Sequence, residues 1–176
     1  MVFEYIVNHA PESITKRLEA LKLHRERPDF HPEESTYEHI RIVTTRCIRA
    51  NNPHLVMCGV LHDIMKKDTA KINPPEHKMA GYPTSPGHDS ASASLIRNDL
   101  EIQTFIKKFQ ADVDIVEWLV SQHMRIAQIG QMRQGKQDAF RAMPHFRLLE
   151  AFHVADNMLV SDDEAFTQMM NILKPE

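Results

Sequence analysis

Hydrophobic residues recur along most of this chain at three- and four-residue steps, the period of amphipathic helices. Over 12–25, Ile14, Leu18 and Leu21 line one face. Pro28 and Pro32 break the pattern, and Ser35-Thr36-Tyr37-Glu38 then has the form of a capping box, Ser35 as N-cap and Glu38 reaching back. A helix is predicted from there to about residue 50, with Tyr37, Ile40, Thr44, Cys47 and Ile48 on one face. Asn52 and Pro53 suit the cap and first turn of another, about 53–67, whose Leu55, Val56, Met57, Val60, Leu61 and Ile64 leave almost no polar face. Such a helix belongs at the centre of a core. Residues 68–87 hold Pro74, Pro75, Pro83 and Pro86 and should form neither helix nor regular strand. So long a connection inside a compact domain usually carries function. Helical periodicity resumes over about 88–99, 100–110, 112–128, 144–160 and 163–174, with 129–143 as a second exposed connection. The pattern predicts an all-α single domain of six to eight helices.

Composition narrows the function classes. The 21 basic and 24 acidic residues give a net charge of −3, no electrostatic case for general nucleic-acid or membrane-surface binding. There is no run of about 18 apolar residues to span a bilayer, and the start MVFEYIVNHAPES does not read as a secretory signal. The two cysteines, Cys47 and Cys58, sit in apolar stretches and cannot form a disulfide framework, which points to a reducing, cytoplasmic setting. Trp118, Phe166, Met169 and Met170 are candidates for a homodimer surface. The eleven histidines are the unusual entry.

Several polar residues fall on faces expected to be buried. His39 lies beside the apolar face of its helix, His62 and Asp63 follow Val60 and Leu61 directly, His123 shares a face with Val116, Leu119 and Val120, and Asp156 with Leu149 and Phe152. A buried carboxylate or imidazole without a partner costs several kcal/mol. One such histidine is more often an ordinary core residue, and Asp156 alone could cap a turn or pair with an arginine. Together they ask for a common explanation, and a bound cation is one, because it relieves every ligand at once. Neighbouring helical residues diverge by about 100°, so His62 and Asp63 can address one ion only if it sits off the flank between them. His9, His24, His31, His54 and His145 read as surface residues, and His77, on the loop with Lys71 and Lys78, as a solvated residue that could alternatively approach a bound substrate. His153 reads as packing, and Asp89 either orients His88 or favours its helix dipole.

His39, then LHDIMKK with His62-Asp63, PGHDSAS with His88, VSQHMR with His123 and FHVADN with Asp156 resemble, in that order, the HD-domain superfamily of helical metal-dependent phosphohydrolases. The likeness covers about 35–160 and is closest to the HD domain attached to bacterial CCA-adding tRNA nucleotidyltransferases. It implies a first metal held by His39, His62, Asp63 and Asp156, a second held by His88 and His123 with Asp63 shared, and a substrate phosphate met by Lys66. Met65 stands where the family motif has glycine. Nothing upstream has the length of the nucleotidyltransferase domain, so tRNA nucleotide addition is not expected.

One or two divalent ions are implied; mixed imidazole and carboxylate ligands suit Mn, Fe, Co, Ni, Zn or Mg. The expected reaction is hydrolysis of a small, nucleotide-like phosphate ester by metal-activated water. Asp63 and Lys66 are its catalytic residues, and Lys66 and Arg125 meet the phosphate. A di-iron oxygenase of the same superfamily and a non-catalytic, metal-stabilised binding module are the alternatives.

Overall fold

The computed structural model describes residues 2–25, 33–76 and 80–174. Among them it contains ten α-helices and one two-stranded ribbon, in one all-α domain. The helices are α1 (Val2–Asn8), α2 (Glu12–Leu21), α3 (Thr36–Arg49), α4 (Pro53–Leu61), α5 (His88–Asn98), α6 (Leu100–Lys108), α7 (Val113–Ile126), α8 (Gln134–Arg141), α9 (Phe146–Asp156) and α10 (Asp162–Leu173). His31, His77 and Lys78 lie outside the described residues.

Local chemistry fixes several of the helix starts. Ser35 caps α3 by accepting from Glu38 N, although the Glu38 carboxylate takes Arg41 at 2.7 Å and does not reach back. Asn52 Oδ1 accepts from His54 N and Leu55 N, with Pro53 in the first turn of α4. Asp99 and Asp112 cap α6 and α7 in the same way. Each such cap is worth about 1 kcal/mol.

The centre is α4, where Leu55, Met57, Cys58, Val60 and Leu61 have no exposed surface. It packs against α3, α7 and α9. At Gly59 the approach to α3 is so close that a Cβ would lie 2.9 Å from Thr44 Cα, so only glycine fits without moving a helix. Cys47 and Cys58 are free and buried, and burial pushes both thiols above their ordinary range.

Four expectations need correction. Helix α4 ends at Leu61, short of residue 67: the bonds Ile64 N to Leu61 O and Lys66 N to Asp63 O tighten the chain to three-residue turns. The connection 68–87 contains a short antiparallel ribbon, Lys71–Ile72 with Pro83–Thr84, which prolines tolerate at its exposed edge. The stretch 129–143 contains α8, pinned by the fully buried Phe140 against Phe146 at 5.3 Å. The chain also opens with α1, seated by Phe3 and Ile6, which brings the helices to ten among the described residues. Of the apolar residues singled out for a partner subunit, Met169 is buried in this chain's own core and Phe166 lies under Arg49. No helix among the described residues is long and apolar enough to cross a membrane.

Candidate metal centre

Four imidazoles and two carboxylates from five parts of the chain meet at the inner ends of α3, α4, α5, α7 and α9. His39 projects from α3, His62 caps the end of α4, and Asp63 lies in the tight turn after it. Neighbours in such turns still diverge, by about 120°, yet His62 Nε2 and Asp63 Oδ2 converge to 3.2 Å, so the two address a point off the flank between them. His88 opens α5 directly after Gly87, whose φ of 73° is left-handed backbone that glycine adopts without strain. His123 lies in the last turn of α7, and Asp156 ends α9.

The polar atoms form two sets sharing Asp63. Atoms of His39, His62 and Asp63 lie within 4.8 Å of one another, as do those of Asp63, His88 and His123. Asp63 Oδ2 is 3.2 Å from His62 Nε2 and 3.6 Å from His39 Nε2, while Oδ1 is 3.0 Å from His88 Nε2 and 3.6 Å from His123 Nε2. His39 Nε2 and His62 Nε2 are 3.2 Å apart, as are His88 Nε2 and His123 Nε2. Asp156 Oδ1 stands 2.9 Å from His39 Nε2 and 3.5 Å from His62 Nε2. Lys66 Nζ pairs with Asp63 Oδ2 at 2.8 Å.

The far side of each ring fixes what its near side offers. The Nδ1 groups of His62, His88 and His123 point at the carbonyl oxygens of Gly59 (3.0 Å), Ser85 (2.7 Å) and Val120 (2.7 Å). A carbonyl only accepts, so each Nδ1 carries a proton and each Nε2 is turned inward. His39 Nδ1 meets the Glu33 carboxylate at 2.7 Å, with both side chains buried. Neutral rings would then bring lone pairs face to face, and Asp63 Oδ1 makes no well-directed hydrogen bond of its own. Two donors bound to one ion at ~2.1 Å lie about 3.0–3.4 Å from each other, and the contacts of this cluster, from 2.9 to 3.6 Å, bracket that spacing. The donor set fits divalent cations, and the buried His and Asp groups could hold one.

Electrostatics agree. Burial opposes charge on His39, yet hydrogen bonds to Asp156 and Glu33 override it and hold the group up at about 9. Burial works against His62 too, and the Asp63 charge with the Asp156 hydrogen bond lifts it to about 10. His88 is raised by the Asp63 carboxylate 3.0 Å from its Nε2, against the same burial. Burial pushes the Asp63 and Asp156 carboxyls upward, but the cations around them win: His62 and Lys66 for Asp63, His39 and His62 for Asp156, both held well below the usual carboxylate range. Without a metal, protons take its place. Phe152 forms an apolar floor, its ring 5.3 Å from His62 and 6.5 Å from His123.

All six ligand candidates and Lys66 are brought together. Arg125 is not: two residues beyond His123 it sits about 200° round the helix. Its guanidinium lies 4.3 Å over the Phe140 ring and donates to Gln122. His88 is oriented by the Ser85 carbonyl and not by Asp89. His24, expected at the surface, is buried against Thr36, Nδ1 to Oγ1 2.8 Å. Glu33 went unnoticed in the sequence, because an acid in the proline-broken stretch before α3 normally faces water. No protein-family model, curated protein or solved structure matches the chain.

Proposed function

We propose that the protein is a metal-dependent phosphohydrolase of the HD type, acting on a small, nucleotide-like phosphate ester. One observation carries this reading: two sets of inward-facing Nε2 and carboxylate donors, spaced as ligands of shared ions, meet on the two oxygens of Asp63 beside a buried ammonium. Divalent ions held there would supply an activated water and a polarised phosphoryl oxygen.

The chain's own residues do the rest. His39, His62, Asp63 and Asp156 form one binding set, and Asp63, His88 and His123 the other. Lys66, held at Asp63 with its side chain 9% exposed, is placed to neutralise a phosphoryl oxygen as charge develops. Phe152 keeps the floor dry, which strengthens each of these interactions. Asp156, with 23% of its side chain exposed, is the most open of the six candidate ligands.

The test is elemental analysis of the purified protein, followed by phosphomonoester and phosphodiester panels with Mn, Ni, Co and Mg. Hydrolysis of at least one ester is expected, and Lys66→Ala should keep its metal while turnover falls by about 100-fold. Iron with oxygen uptake and no hydrolysis would replace this reading by the oxygenase. Metal without either activity would leave a binding module.

A further inference from the structure

Arg46 is a charged residue with 5% exposure, and it lies on α3 seven residues beyond His39. Seven residues are nearly two turns, so both side chains leave the same face of α3, about 10 Å apart along its axis. His39 goes to the metal centre. Arg46 goes to the junction of α9 and α10, where every donor it directs there has an acceptor. Nη1 donates to Ala155 O at 3.0 Å and to Asn157 O at 2.8 Å, Nη2 to Val160 O at 2.8 Å, and Nε to Asp162 Oδ1 at 2.8 Å.

The two carbonyls taken by Nη1 flank Asp156 on either side. Asp156 is the last residue of α9, and the final carbonyls of a helix have no partner within it and fray unless something else binds them. Burying a guanidinium is costly unless its donors are satisfied, and here three carbonyls and a carboxylate meet it. We propose that Arg46 is a positioning residue of the metal centre: it locks the end of α9 to α3, so that Asp156 stays within ligand reach of His39. The two ligands of one ion are thereby spaced by a single helix, α3, which carries one and grips the backbone of the other. This rests on the metal reading above.

Lysine keeps the charge of Arg46 but not the fork, and cannot bracket two carbonyls while reaching a third and a carboxylate. The experiment is Mn²⁺ titration of the metal-free full chain, by calorimetry, for wild type, Arg46→Lys, Asp156→Asn and the double variant, with circular dichroism as the check on fold. Arg46→Lys should weaken Mn²⁺ about 10–100-fold, as loss of a group that supports a ligand does. In the Asp156→Asn background the same change should weaken it no further, because the group it positions is already gone. A general loosening of the fold would not discriminate in this way. An unchanged Mn²⁺ affinity in Arg46→Lys, or a loss reappearing in full on Asp156→Asn, overturns the proposal and leaves the metal reading standing. A wild-type chain that binds no Mn²⁺ overturns both.

If Arg46→Lys does not fold, Asp162→Ala carries the test from the exposed end of the clamp. It removes only the Nε anchor, and should weaken Mn²⁺ by about threefold in the wild-type background and not in Asp156→Asn. No loss in either background overturns the proposal.

Discussion

The two halves of the cluster are built differently. In the half formed by His39, His62 and Asp156, two imidazoles are served by three carboxylates, because Asp156 adds to Asp63 and Glu33 stands behind His39. In the half formed by His88 and His123, both rings lean on neutral backbone carbonyls and share Asp63 as their one carboxylate. A divalent ion gains most where anionic donors are densest. The anionic half should therefore bind first and hold tightly, and the imidazole half should bind later and exchange more freely. If hydrolysis needs both, the weaker half sets the metal concentration at which activity appears.

The harshest way to break this asymmetry is to remove what the halves share. Asp63→Ala should lose both ions and all activity together, measured by elemental analysis beside the ester assay. It also removes the carboxylate that Lys66 Nζ meets at 2.8 Å. Next come the single-half variants. His88→Ala should retain one tightly held ion, while His39→Ala should retain none after dialysis against a mild chelator. The reverse pattern would show that the carboxylates do not rank the sites. A gentler change sharpens the comparison: Glu33→Gln keeps an acceptor for His39 Nδ1 but removes its charge. In the His88→Ala background, competition with a chromogenic chelator should then read about tenfold weaker binding. No change would mean that Glu33 only fills space.

Five of the six candidate ligands, His39, His62, Asp63, His123 and Asp156, were legible because they fall on or beside apolar helix faces, where burial without a partner is costly, and His88 only through the motif resemblance. Two helix starts were legible for a local reason: Ser35 and Asn52 satisfy backbone donors two or three residues away. What depends on distant partners was not. Helix α8 shows no periodicity because Phe140 is its one buried residue. The end of α4 could not be read, since nothing in LHDIMKK announces the change to three-residue turns. Arg125 was chosen for nearness to His123 in sequence, which on a helix places it on another face. Arg46 was not singled out in the sequence, because its purpose appears only once α9 and α10 are folded against it.

The smallest effect expected concerns the metal-free chain and also separates the halves. His39 and His62 are held at about 9 and about 10, above the ordinary 6.5 of an unfolded chain. The folded state therefore binds their protons more tightly than the unfolded state does. That stabilisation is complete below about pH 6.5 and drains away as pH rises through 9 and 10, on the order of a few kcal/mol for the pair. Asp63 and Asp156 act in the opposite sense: held low, they stabilise above the carboxylate range and cease to as pH falls through it. Chelator-stripped protein should thus be most stable in mildly acid solution, and its melting temperature should fall steadily from about pH 6.5 to pH 10. Asp156→Asn should flatten that fall, since Asp156 is the strongest influence raising His39 and also hydrogen-bonds His62. His88→Ala should leave most of it. Adding metal should abolish the slope, because a bound cation replaces the protons and its uptake near pH 8 releases them. A stripped chain that grows more stable across the same window would mean that these imidazoles are not held as cations by the carboxylates beside them. The ranking of the two halves would then lose its electrostatic basis.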